Sequence, residues 1–254
     1  MIIACIQAKG GVAKTTSSVN LAHSLAMQKQ KVLLVDLDSQ SSASLSLGIP
    51  RSKMEPSIND ILFEKISPED ALHETDIPNL TLITGSPGLS NFDISMAKHN
   101  KRTERIKDTL KSISQKFDTI ILDCPPSISL LTINALAACD RYLVPVTPHY
   151  LALEGLVTLL DTLDKTKKSI QSNSSLLGIL LTMVDQRAKI TKEISALLRK
   201  QFHNDVFKTE VRTCIKLAEA PSHGKTIFQY DNNCTGALAY EALAKEVIFR
   251  IKRK

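Results

Sequence analysis

Short, unbroken apolar runs recur along the chain at residues 2–7, 31–36, 80–84, 119–123, 141–146 and 176–183. They lack the polar–apolar alternation of a strand with one wet face. They therefore predict parallel strands buried on both sides. Between most of them lie stretches of helical length, clearest at 15–28, 103–115, 154–169 and 191–202. Strands alternating with helices predict an α/β fold with a doubly wound, mostly parallel sheet flanked by helices. Residues 48–60 and 85–100 are rich in Ser, Pro, Gly and Asn and are expected to be loops. No linker or repeat divides the chain, so one domain over residues 1–254 is expected.

In a doubly wound sheet, ligands sit beyond the carboxyl ends of the strands. The chemically interesting residues fall there. AKGGVAKTT (8–16) follows the first apolar run, Asp36 and Asp38 close the second, and Asp123 closes another. A strand, a Gly-rich turn and a helix start make a phosphate cradle of backbone N–H groups and a positive helix end. The cradle comprises Lys9, Gly10, Gly11, Val12, Ala13, Lys14, Thr15 and Thr16. Lys14 is placed to reach terminal phosphates, and the Thr15 hydroxyl to take a Mg²⁺. Lys9 is additional, because an ordinary Walker A loop needs no lysine before its glycines.

The pattern Lys-Gly-Gly-x-x-Lys-Thr-Thr resembles the deviant Walker A loop of the ParA/MinD/Soj ATPases. Further blocks resemble the same family in order: LLVDLDSQSSAS (33–44), ILDCPPS (121–127), LVPVTPHYLALEGL (143–156), LTMVDQR (181–187) and LAEAPSHGKTIFQYD (217–231). The resemblance implies a P-loop ATPase that uses ATP and Mg²⁺ and dimerises around nucleotide. It implies that Lys9 acts in trans on the partner's nucleotide and that Asp38 orients the attacking water. Asp36 would support the metal through water, and Asp123 would hold the Mg²⁺ shell. Three positions depart from the family. Ala13 stands where glycine is usual, at a cost on the order of 1 kcal/mol if the site needs positive φ. Ser39 replaces a proline, and Arg212, Thr213 and Cys214 replace a Pro-Arg-Asn near the adenine.

The net charge of +6 favours a polyanionic partner. Basic residues concentrate in 185–225. By resemblance, Arg187 and Lys216 match positions that touch DNA phosphates, with Lys192, Arg199, Lys200 and Arg212 as further candidates. Contacts of this kind would be nonspecific and salt-sensitive. The first strand begins at about residue 2, so no helix-turn-helix is expected before the loop. The resemblance further implies a homodimer on double-stranded DNA and a ParB-type centromere-binding protein that stimulates hydrolysis.

The competing reading is a MinD-like membrane switch. Tyr240, Leu243, Val247 and Ile251 form an apolar stripe before a basic tail. The stripe is narrow, so packing on the core is expected and stable membrane association is not. No apolar run is long enough to span a bilayer, and Lys9 and Lys14 interrupt any signal-like N-terminus. The five cysteines are widely spaced with no C-x-x-C pair. No disulfide framework, zinc site or iron–sulfur cluster is expected, and Cys124 reads as a buried structural residue. The expected location is cytoplasmic, on the nucleoid.

Overall fold

Strand β1 (Ile2–Cys5) runs through the middle of an eight-stranded sheet in a computed structural model that describes residues 1–252. The basic tail residues Arg253 and Lys254 lie outside the described residues. The other strands are β2 (Val32–Asp36), β3 (His73–Glu74), β4 (Leu80–Ile83), β5 (Thr119–Asp123), β6 (Arg141–Val146), β7 (Ser175–Val184) and β8 (Val206–Arg212). Their spatial order is β3-β4-β2-β5-β1-β6-β7-β8. All neighbours are parallel except β3, which pairs antiparallel with β4.

All six predicted strands are present. The two missed strands are the edges. β3 is two residues long, and β8 reads VFKTEVR, whose Lys208 is exposed. An edge strand has one side to solvent and need not be apolar throughout, so the continuous-run signal fails there.

Six principal helices flank the sheet: α1 (Lys14–Met27), α2 (Arg105–Lys111), α3 (Leu130–Ala138), α4 (Ala152–Ser169), α5 (Lys189–Phe202) and α6 (Thr235–Lys252). The stretch predicted as a helix over 103–115 shrinks to α2 and a separate turn at Ser114–Lys116. The two predicted loops each hold short helical segments, Ile58–Leu62 in one and Phe92–Met96 in the other. Ile58, Ile61, Leu62, Phe92 and Met96 are buried, so these segments cover the core.

Side chains alternate across each central strand into two apolar layers. Ala4, Ile6, Leu33 and Val35 join the layer under α2, α3, α4 and α5. Ile3, Cys5, Val32 and Leu34 join the layer under α1 and α6. Helix α1 is buried along most of its length, and several of its polar residues find partners inside the fold. Ser17 meets the Tyr240 hydroxyl at 3.1 Å, Asn20 accepts from the Ile227 N–H at 2.8 Å, and His23 meets Thr226 at 2.6 Å.

The C-terminal stripe belongs to this layer. Tyr240, Leu243 and Val247 are fully buried, while Ile251 is half-buried. No helix among the described residues is long and apolar enough to cross a membrane. Leu243→Ala is expected to cost about 2–5 kcal/mol of stability, read by urea unfolding, as for a truncated core leucine. A change within about 0.5 kcal/mol would mark a surface position instead.

Candidate functional site

The loop after β1 closes on the start of α1 through two left-handed residues, Gly11 at φ 73° and Ala13 at φ 59°. Ala13 therefore adopts the conformation for which glycine is favoured. The loop is tied down from both sides. The Thr182 hydroxyl donates to the Val12 carbonyl at 3.0 Å, and the Gln7 amide donates to the Pro145 carbonyl at 2.9 Å.

A cleft of 410 Å³ over this loop is lined by Lys9 through Thr16 together with Asp38, Ser42, Pro126 and Met183. The structure thus brings the whole predicted cradle and Asp38 to one opening. Asp38 is 9% exposed and accepts from the Gln40 N–H at 2.9 Å, which leaves it at the cleft wall. Ser42, Pro126 and Met183 fall within the family-like blocks 33–44, 121–127 and 181–187, but no local feature there marks the individual position as lining the cleft. They arrive from three different parts of the fold: Ser42 from the short helix Ser42–Ser46, Pro126 from the loop after β5, and Met183 from the end of β7.

Lys14 and the two other acids lie beneath this opening. The register sets Cys5, Asp123 and Asp36 side by side at the ends of β1, β5 and β2. Asp123 is fully buried, with its Oδ1 3.7 Å from the Lys14 ammonium and accepting from the Ser18 hydroxyl at 2.8 Å. Lys14 also donates to the Cys124 carbonyl. Burial opposes the lysine's charge most strongly, but the surrounding groups, Asp123 first and then Cys5, Cys124 and Asp38, together outweigh it and hold the pKa above the ordinary lysine value.

Asp123 Oδ2 is buried with no hydrogen-bond partner. An orphaned carboxylate oxygen beside the Thr15 hydroxyl is hard-oxygen chemistry, and it fits Mg²⁺ completed by phosphate oxygens and water.

Asp36 is fully buried, with its carboxylate bonded within its own turn. Its Oδ2 accepts from both the N–H and the hydroxyl of Ser44, at 2.9 and 2.8 Å, and its Oδ1 accepts from the Asp38 N–H at 3.1 Å. These bonds fold the 36–44 turn and engage both oxygens. Burial, aided by the Asp123 charge, pushes its pKa up to about 7.

Lys9 is exposed, and its ammonium lies 2.7 Å from His149 Nε2. An ammonium can only donate, so Nε2 accepts and the imidazole is neutral with its proton on Nδ1. Partial burial and the Lys9 charge both lower the His149 pKa. The pair sits at the rim of a second, mostly apolar cavity of 590 Å³ between the loop and α4. His149 was not singled out in the sequence, because the contact spans 140 residues.

None of the predicted basic residues lines the cleft; they lie on α5, β8, the loop before α5 and the short helix Ile215–Glu219. Arg187 is 90% exposed and closes on Asp185 in a two-point pair, at 3.0 and 3.1 Å. Lys192 and Lys200 are exposed on α5. Arg212 lies 3.7 Å from Glu210, and Lys216 pairs with Asp231. Arg199 points inward, donating to the Phe207 carbonyl at 2.8 Å, and so ties α5 to β8.

A family described as an AAA domain matches residues 1–176. The chain is 42% identical over 246 residues to the sporulation initiation inhibitor protein Soj of Bacillus subtilis, covering 97% of each. It is 39% identical over 249 residues to the chromosome partitioning protein ParA of Myxococcus xanthus, covering 98% of this chain and 88% of that one. The chain belongs to the ParA/Soj-type ATPases. Among solved structures, this ParA/Soj-type fold superposes on cobyrinic acid a,c-diamide synthase of Mycobacterium smegmatis, crystallised with ADP and magnesium. The TM-score is 0.86 at 28% identity, over 99% of this chain and 95% of that one.

Four outcomes test this geometry. Ala13→Gly is expected to leave thermal stability unchanged or higher, because it relieves left-handed strain. Ala13→Val is expected to lose more than about 1 kcal/mol, since a β-branched residue is poorly accommodated at positive φ. In an NMR titration of the ligand-free protein, His149 should titrate below 6.5. Lys9→Ala should raise that midpoint only partway back, because burial still disfavours the imidazolium.

Proposed function

We propose that this protein is a partition ATPase whose ATP-bound dimer binds DNA without sequence preference and leaves it on hydrolysis. The observation that carries the reading is the cleft that gathers Lys9, Lys14, Thr15 and Asp38 over a buried Asp123. Relatives named for chromosome partitioning, at 35–39% identity over nearly the whole chain, support the cellular role.

Hydrolysis of a phosphoanhydride needs charge neutralised at the terminal phosphate and a positioned water. Backbone N–H groups of residues 10–16 and the α1 N-terminus hold the phosphates. Lys14 turns from Asp123 toward them and exchanges one anionic partner for another. Thr15 and Asp123 would hold Mg²⁺, which would supply neutralisation of phosphate charge. Asp38 orients the attacking water. Lys9 leaves His149 for the partner's nucleotide, so dimerisation and nucleotide binding become one event.

Arg187, Lys192, Lys200, Arg212 and Lys216 form the DNA face, with Arg187 and Lys216 exchanging Asp185 and Asp231 for phosphates. A ParB-type protein stimulates hydrolysis, and the protein acts in the cytoplasm on the nucleoid. The membrane reading loses its main support, because Tyr240, Leu243 and Val247 are buried against the sheet.

Lys14→Ala is expected to abolish ATP binding in calorimetry. Asp38→Ala is expected to keep ATP and DNA binding while hydrolysis falls by about 100-fold or more. Normal hydrolysis by Asp38→Ala would remove the water-orienting role. Duplex DNA should bind with ATP but not ADP, and about tenfold or more weaker at 200 than at 50 mM salt. Binding to anionic liposomes in place of DNA would favour the membrane switch.

A further inference from the structure

Two cysteines far apart in sequence meet at the edge of the candidate DNA face. Cys214 stands immediately before the short helix Ile215–Glu219, and Cys234 immediately before α6. The two helix starts are packed together. Gly236, in the first turn of α6, lies so close to Leu217 that an added β-carbon would come within 2.8 Å of its Cγ. The Cys214 and Cys234 side chains interact with each other across the packed helix starts, and both are half-buried, so small solutes can reach them. Cys5, Cys124 and Cys139 are buried by contrast.

The surroundings of the pair favour a thiolate. The Thr235 hydroxyl and the Gly236 and Leu217 N–H groups surround Cys214, the Leu217 N–H donating to the Cys214 carbonyl at 3.1 Å, and Cys234 Sγ accepts from the Ala237 N–H at 3.5 Å. These donors hold the Cys214 pKa below that of an ordinary thiol, although partial burial acts against them. Such an accessible, donor-rich thiol beside a second thiol has the features of a redox-sensitive cysteine with its resolving partner.

We propose that Cys214 and Cys234 form a redox-active dithiol that a peroxide closes to an intramolecular disulfide. The Cys214 thiolate attacks one peroxide oxygen. An S–O bond forms, the O–O bond breaks, and the departing hydroxide takes up the thiol proton as water. The Cys234 thiol then loses its proton and attacks the sulfenic sulfur. The S–S bond forms, the S–O bond breaks, and a second water leaves. Two thiols are oxidised together and one peroxide is reduced to two waters. The bond joins the segments already linked by the Lys216–Asp231 ion pair, since Lys216 follows Cys214 closely and Asp231 just precedes Cys234. Closure therefore restrains Lys216 beside Asp231. The dithiol itself is independent of the ATPase reading, and the experiment below measures the dithiol alone.

The full chain is treated with hydrogen peroxide, quenched, alkylated with N-ethylmaleimide and digested without reductant for mass spectrometry. The expected product is a Cys214–Cys234 crosslinked peptide, lighter by two hydrogens and lost on adding dithiothreitol. Cys234→Ser should stop at a Cys214 sulfenic acid that dimedone traps. Cys214→Ser should consume peroxide at least about tenfold more slowly. A Cys214 that proceeds to sulfinic acid while Cys234 stays free for alkylation would overturn the proposal. So would a crosslink found only between two chains on a non-reducing gel, or a Cys234→Ser protein that yields no dimedone adduct.

Discussion

A buried ion pair between Lys14 and Asp123, 3.7 Å apart and nearly closed to solvent, is the interaction on which the site is built. Withdrawing two charges from water costs several kcal/mol each, and only close pairing with further hydrogen bonds offsets it. Those bonds come from Ser18 on α1 and from the Cys124 carbonyl just beyond β5. The pair therefore couples three elements: the loop that ends β1, the first turn of α1, and the end of β5. It also keeps a charged lysine under the cradle, one side-chain rotation from any anion placed above it.

The other polar groups of the site divide by whether their valences are already engaged. Asp36 receives three hydrogen bonds from its own turn and serves to shape the path of residues 36–44. Asp123 has one oxygen engaged and the other orphaned, which is the mark of a ligand position. Asp38 stands at the opening rather than beneath it. Among the described residues the Lys9 ammonium meets a neutral imidazole, a partner far weaker than a carboxylate. A lysine held that loosely is easily drawn to a stronger anion.

Net charge does not translate directly into a binding face. Several cations near β8 are structural. Arg250 donates to the carbonyls of Leu177 and Val206, at 3.1 and 2.9 Å, and stacks on Phe207 with its guanidinium carbon 4.1 Å from the ring centroid. Arg199 secures the same strand from the other side. Glu246 accepts from the N–H groups of Lys208 and Thr209, both at 2.9 Å. This side-chain support replaces the second strand neighbour that an edge lacks, and it explains why a polar segment holds strand geometry.

The central strands, the loop 8–16 and the acids at the strand ends were legible in the sequence because their signals are local. A continuous apolar run, a Gly-rich turn and a carboxylate after a strand each depend on a few adjacent residues. The sequence by itself thus determined the sheet class, the cradle and the family. Only the tertiary structure decided what each polar group does. It engaged Asp36 with Ser44, turned Arg199 inward, set Lys9 on His149, and brought Cys214 to Cys234. The physical reason is range. Periodicity and turn chemistry act over a few residues, whereas a hydrogen bond or a thiol contact depends on which distant segments the sheet order places side by side.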